Sequence, residues 1–151
     1  MIRPADKKDF DTIRNIMNQV QELHVTWRPD IYKPTEDFIT LSYVEEMIEK
    51  QALFVAEKDG EVVGVMSIML RHVESPTQVT RDVIFVDSLA VDEKHRGQGI
   101  GHAFFDFLKK WKEEIGADGI ELQVNARNEM AYQMYKDYGF TEKSINMELL
   151  P

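Results

Sequence analysis

The sequence contains no cysteine, which excludes disulfides, thiolate metal sites and a cysteine nucleophile together. It also has no apolar run of about 18 residues, so no membrane-spanning helix is expected. The opening Met1-Ile2-Arg3-Pro4-Ala5-Asp6 lacks the apolar core of a signal peptide, and a cytoplasmic protein is the expectation. Basic residues are scarce: 18 Lys and Arg stand against 27 Asp and Glu, a formal net charge of -9. That balance argues against a nucleic-acid binder, which carries a basic face, and favours a cationic small molecule as partner. No histidine and carboxylate spacing points to a metal site, so none is expected. Repeats, low-complexity runs and linkers are absent as well. What remains is a chain of 151 residues, 43% of them hydrophobic, long enough for one well-buried core and short for two. One domain, residues 1–151, is expected.

Glycine is sparse, yet Gly97, Gly99 and Gly101 fall together in His95-Arg96-Gly97-Gln98-Gly99-Ile100-Gly101. Upstream, Val83 to Val91 reads as a strand, and downstream Ile100 to about Ile115 reads as a helix. A glycine-rich turn from strand to helix builds an anion site, because the first helical N–H groups lack internal partners and the helix dipole adds positive potential. Three phosphate loops compete for the segment. A Walker loop needs Lys and Ser or Thr after its last glycine, but His102 and Ala103 follow Gly101, and that reading fails. A Rossmann fingerprint needs G-x-G-x-x-G directly after its strand, whereas Asp92-Glu93-Lys94-His95 intervene and His102 holds the third glycine's place. It is weak, although Glu121 lies at about the right distance for a ribose-binding acid. Arg96-x-x-Gly99-x-Gly101 fits the third pattern, [QR]-x-x-G-x-[GA], without adjustment.

A second motif follows. After the apolar strand Gly119 to Val124 comes Asn125 to Phe140, in which Asn128, Ala131, Tyr135, Gly139 and Phe140 match N-x-x-A-x-x-x-Y-x-x-x-G-F. The two motifs, over about residues 83–142, resemble those of the GNAT superfamily of acetyl-coenzyme A-dependent N-acyltransferases. The resemblance implies an α/β single-domain GNAT fold, a mixed and mostly antiparallel sheet around a strand–phosphate loop–helix–strand unit.

The order of elements read from pattern agrees. Residues 1–4 read as a short strand; Phe10, Ile13, Met17, Val20 and Leu23 recur at helical spacing behind an Asp6/Asp9 cap. Residues 26–37 hold two prolines and no periodicity, so a loop is expected, followed by a helix ending near Lys50. Residues 52–56 and 62–70 flank Asp59-Gly60, a hairpin signal, and a strand over 81–91 follows the turn at Glu74-Ser75-Pro76-Thr77. The third helix is expected to bury Ile100, Phe104, Phe107, Leu108, Trp111 and Ile115, with Gly116 as its cap. A last strand is expected from Lys143 to Leu149.

The resemblance also assigns roles. Acetyl-CoA is the implied cofactor, its pyrophosphate held by backbone of Gly97, Gln98, Gly99, Ile100 and Gly101 with charge from Arg96, and its pantetheine aligned by backbone of Leu89, Ala90 and Val91. Tyr135 matches the family's proton donor to the leaving thiolate, against the alternative that it packs in the core. Asn128 bonds the cofactor or caps the helix. Asp87, at the strand end, is the candidate base if burial raises its pKa; the alternative is an ordinary ion-paired carboxylate, with Asp82 and Glu22 weaker choices. His72 and His24 read as exposed positions first, His95 and His102 as cofactor neighbours. Trp27, Asp30 and Tyr32, with Glu36, form an aromatic and acidic lining for an ammonium group, or a loop packed on the core. The expected function is direct acetyl transfer to a primary amine of a cationic small molecule in a ternary complex. The alternative is a non-catalytic acyl-CoA sensor, and the resemblance leaves a homodimer open.

Overall fold

The computed structural model describes residues 1–151. Its elements run β1 (Ile2–Pro4), a 3-10 turn (Lys7–Asp9), α1 (Phe10–Trp27), α2 (Leu41–Glu49), β2 (Leu53–Lys58), β3 (Glu61–Ser75), β4 (Gln78–Val91), a 3-10 turn (Glu93–His95), α3 (Ile100–Ile115), β5 (Gly119–Leu122) and α4 (Glu129–Tyr138). One sheet takes the order β1-β2-β3-β4-β5. Each pair is antiparallel except β4 with β5, which is parallel because α3 carries the chain back across the sheet. This is the mixed, mostly antiparallel α/β arrangement expected from the sequence.

Strand alternation divides the core in two. Leu53 and Val55 face Ile13, Ile16 and Val44 of α1 and α2, whereas Phe54 and Ala56 face Phe104, Phe105 and Leu108 of α3. The helices therefore cover opposite faces of the sheet. In the 3-10 turn that leads into α1, the Asp6 carboxylate accepts from Lys8 N–H (3.0 Å) and Asp9 accepts from Asp6 N–H (2.8 Å), a closed capping box. The buried Asp9 also receives both Arg3 guanidinium nitrogens, at 2.8 and 3.0 Å, which ties β1 to the helix. Asp59 and Gly60 take φ of 52° and 79° between Lys58 and Glu61, as a two-residue hairpin turn requires.

Four expectations are corrected. Helix α1 continues to Trp27, so the loop begins at Arg28. The β3–β4 hairpin is longer than the apolar runs implied, since polar cross-strand partners extend it: His72 Nδ1 and Asp82 Oδ1 meet at 2.7 Å in the pair His72↔Asp82. In α3 Phe105 is buried and Ile115 is 45% exposed, so the apolar face is rotated slightly from the expected stripe. No strand forms over Lys143–Leu149; residues 141–151 are exposed and lack backbone ladder bonds, because no strand of the subunit lies alongside to pair with them.

Candidate active site

The site begins where two parallel strands part. Pairing of β4 with β5 ends at Val86↔Leu122, and the β3–β4 register then slips from Ile68↔Val86 to Ser67↔Ser88. Asp87 is the extra residue of this bulge. A bulge bends its strand and sharpens the local twist, so β4 turns away from β5 and a cleft of about 250 Å³ opens between them. One wall is Asp87 to Ala90, the other Leu122 to Asn125; α1 supplies His24 and α4 supplies Asn128 and Tyr135. Beyond the Val86↔Leu122 pair β4 bonds only with β3, and Leu89 and Ala90 line this cleft.

At one end of β4 lies the glycine loop. Gly97 and Gly99 take φ of 74° and 81°, a left-handed conformation that side chains rarely adopt, and a Cβ on either would meet nothing within 4 Å. Ala103 is the first residue of α3 whose N–H finds a backbone carbonyl, that of Gly99 at 3.0 Å. The N–H groups just before it are the orphan donors of a helix start, aimed where an anion is favoured. Gly101 serves packing instead, since a Cβ there would stand 2.6 Å from the Met134 sulfur, and its absence permits α3 to touch α4. Arg96 donates from Nε to the Val91 carbonyl (3.1 Å), binding loop to strand. Lys58 reaches over from the β2–β3 hairpin to Gln98 Oε1 (2.7 Å) and adds a cation. Gln19 of α1 donates to Asp92 (2.9 Å) and accepts from Glu93 N–H (2.9 Å). That amide hydrogen bond, with His95 Nδ1 at 3.0 Å, holds the Asp92 carboxyl below its ordinary pKa.

Residues 17–140 match the acetyltransferase (GNAT) family. The chain is 36% identical over 117 residues to the N-alpha-acetyltransferase of Sulfurisphaera tokodaii, an alignment covering 73% of this chain and 69% of that relative. The chain belongs to the GNAT acetyltransferase family. Acetyl-CoA is accordingly its acyl donor, and N-acetyl transfer its reaction. A mutant of the BH1408 protein from Bacillus halodurans has the same fold, with a TM-score of 0.95 at 27% identity over 100% of this chain and 99% of that one. The aminoglycoside N-acetyltransferase AAC(6')-Iy, solved in complex with CoA, shares the fold at a TM-score of 0.76 and 18% identity, covering 100% of this chain and 93% of that one.

Within this GNAT cleft Tyr135 is set by aromatic packing. Its ring meets Phe105 edge-on (5.7 Å) and Phe140 (5.9 Å), and burial pushes its phenol up to about 12. Its hydroxyl makes no hydrogen bond within the protein, and the residue lines the cleft. Asn128 accepts from Ala131 N–H (3.2 Å), so it caps α4, and it lines the cleft as well. Asp87 is exposed on the cleft wall, so the burial that the sequence suggested for it is absent.

The aromatic and acidic lining divides. Tyr32 stacks on His24 at 4.8 Å and Trp27 tilts against the same ring at 5.8 Å, so both stand behind the histidine that reaches the cleft. Asp30 is gripped by Arg28 at 2.9 and 2.7 Å, which neutralises it. His72 is bracketed by Asp82 and Glu74 on the hairpin, and those hydrogen bonds raise its pKa away from the cleft. Glu121 receives Arg81 and Lys143, both at 2.7 Å, in a surface ion network. Lys58 and Gln19 carry no local signal in the sequence, and His24 reads there as merely exposed. Burial lowers the His24 pKa and keeps its imidazole neutral. Its place at helical spacing from Met17 and Val20, on the cleft face of α1, is the signal that points to it.

Proposed function

We propose that the chain transfers acetyl from acetyl-CoA directly to a primary amine, with both substrates bound at once. The observation that carries this reading is the cleft at the Asp87 bulge, lined by Asp87 to Ala90 of β4 and by Tyr135, with the orphan N–H groups of α3 beyond the end of the same strand. Backbone of Leu89, Ala90 and Val91 aligns the pantetheine, and Gly97 to Gly101 with Arg96 and Lys58 hold the pyrophosphate. The amine nitrogen attacks the thioester carbon, the C–S bond breaks, and Tyr135 gives its proton to the departing sulfur. Asp87 takes the proton lost by the amine. A second base, His24, is favoured by its burial, which leaves it unprotonated near neutral pH on the same cleft. Because the chain holds no cysteine, no thiol is available to carry the acetyl group between substrates.

The acceptor is a cationic amine in this reading. Lys94, Arg96, Lys109, Lys110 and Lys112 gather in the cofactor half, leaving the rest of a chain of net charge -9 more acidic. The N-alpha-acetyltransferase relative supports a second acceptor class, the α-amine of a peptide. A CoA-release assay with polyamines, aminoglycosides and short peptides decides between them. A cationic acceptor loses kcat/KM as ionic strength rises and the Debye length contracts to about 8 Å. Tight acetyl-CoA binding without CoA release from any amine assigns a non-catalytic acyl-CoA sensor instead.

A further inference from the structure

The cleft at the Asp87 bulge is lined from both faces of the sheet. Asn128 and Tyr135 reach it from α4, on the face that α3 covers, whereas Met17, Val20, His24 and Phe38 reach it from α1 and the segment before α2, on the other. Because the glycine loop opens α3, the acyl donor belongs to the first face, and the acceptor is left with the second. That side is apolar. Met17 and Val20 are partly buried against the core beneath α1, and Phe38 is 40% exposed, a ring that the protein itself leaves partly uncovered.

Charge is sparse in the same place. Of the residues lining the whole cleft, only Asp87, His24 and Tyr135 ionise. Burial lowers the His24 pKa and pushes the Tyr135 phenol up to about 12, so both are neutral near pH 7 and Asp87 is the one charge. Carboxylates close by in the chain are engaged elsewhere: Asp37, next to Phe38, lies 3.8 Å from Arg14, Asp30 is held by Arg28, and Asp92 accepts from Gln19. A second ammonium group inside the cleft would shed its water and find no counter-charge. An apolar group there covers Phe38, Val20 and Met17 and is stabilised by doing so.

We propose that the acceptor is a primary amine with a single positive charge and an apolar flank, its nitrogen beside Asp87 and its apolar group against Met17, Val20 and Phe38. This selection rests on the acetyl-transfer reading and sharpens it. The acidic surface draws cations in general, whereas the cleft accepts those that carry one charge and an apolar body. Phe38 is a specificity residue here, since it meets the apolar group and not the reacting atoms.

CoA release by the full chain is measured with phenethylamine and isoamylamine against putrescine and spermidine, and with phenylalaninamide against lysinamide to carry the comparison over to α-amines. The apolar monoamines are expected to lead by about 10-fold or more in kcat/KM, the range over which a hydrophobic pocket discriminates. In Phe38→Ala, kcat/KM for phenethylamine falls on the order of 5-fold further than that for methylamine, which has no apolar flank to lose. Phe38→Glu sets a second carboxylate on the apolar wall and moves the preference toward putrescine. A lead for putrescine, spermidine or lysinamide in the wild type overturns the proposal, as does a Phe38→Ala variant that slows phenethylamine and methylamine alike. If no amine releases CoA although acetyl-CoA binds, the acetyl-transfer reading fails by itself. Calorimetry on the CoA-loaded protein then decides the selection, which stands if phenethylamine binds more tightly than putrescine and falls if it does not.

Discussion

A Cβ on Gly101 would stand 2.6 Å from the Met134 sulfur and 3.1 Å from its methyl carbon, so α3 and α4 meet here with no room for another atom. Gly101→Ala gains about 1 kcal/mol of helix propensity and incurs about 1–3 kcal/mol of overpacking. The second effect wins by a small margin, because the flexible end of Met134 can turn aside only by giving up part of its packing against the core. A net loss near 1 kcal/mol is expected, lowering the melting temperature by roughly 2–4 °C for a chain of this size. Since Tyr135 follows Met134 on α4, kcat falls as well. Calorimetric melting and steady-state kinetics on one sample check both.

Gly99 differs, since open space surrounds it and its backbone is left-handed at φ 81°. Gly99→Glu brings backbone strain and a carboxylate to the orphan N–H groups where phosphate is to sit. Acetyl-CoA affinity is expected to fall by more than about 10-fold, equivalent to about 1.4 kcal/mol, as titration calorimetry measures. Unchanged affinity in a folded variant rejects the phosphate-loop assignment.

Tyr135→Phe removes an oxygen that has no protein partner, so the fold should not suffer. The thiolate then leaves without its proton donor, and kcat drops on the order of 10²-fold while KM for acetyl-CoA moves little. Wild-type turnover in this variant returns Tyr135 to a packing role beside Phe105 and Phe140.

The contrast between these residues explains what could be read from the chain alone. Glycines 97 and 99 announce themselves because a left-handed turn before a helix leaves few other choices, and the Asn128 cap obeys a local rule in the same way. Periodicity found α1, α2 and α3 because each buries one stripe against the sheet, and the second motif located α4. The Asp87 bulge was not legible, since it depends on how β3 and β4 register at Ser67 and Ser88 across a long hairpin. Nor were Lys58 and Gln19, which reach the loop from 40 and 73 residues away, measured to Gln98 and Asp92 respectively. Residues 143–149 deceived for another reason: their alternation reads as a strand, but pairing depends on long-range placement that no local pattern fixes.

The identity of the base is settled by substitution and pH together, because His24 carries a pH signature of its own. Burial lowers the His24 pKa from its ordinary 6.5, so the folded chain binds fewer protons there than the unfolded chain. His24 is then neutral and able to accept a proton at pH 7, and if it is the base, the acidic limb of kcat/KM has its midpoint below 6.5. The same shift makes stability fall as pH drops from 6.5 through the folded value, where the unfolded state gains its proton first. His24→Gln removes that slope in denaturation curves and, if His24 is the base, lowers kcat/KM on the order of 10²-fold. Asp87→Asn is expected to slow transfer on the order of 10²-fold while sparing acetyl-CoA affinity, with partial recovery at higher pH as the acceptor amine deprotonates in solution. Full activity at neutral pH in Asp87→Asn, together with loss in His24→Gln, moves the base to the histidine; the reverse pair of results keeps it at the bulge.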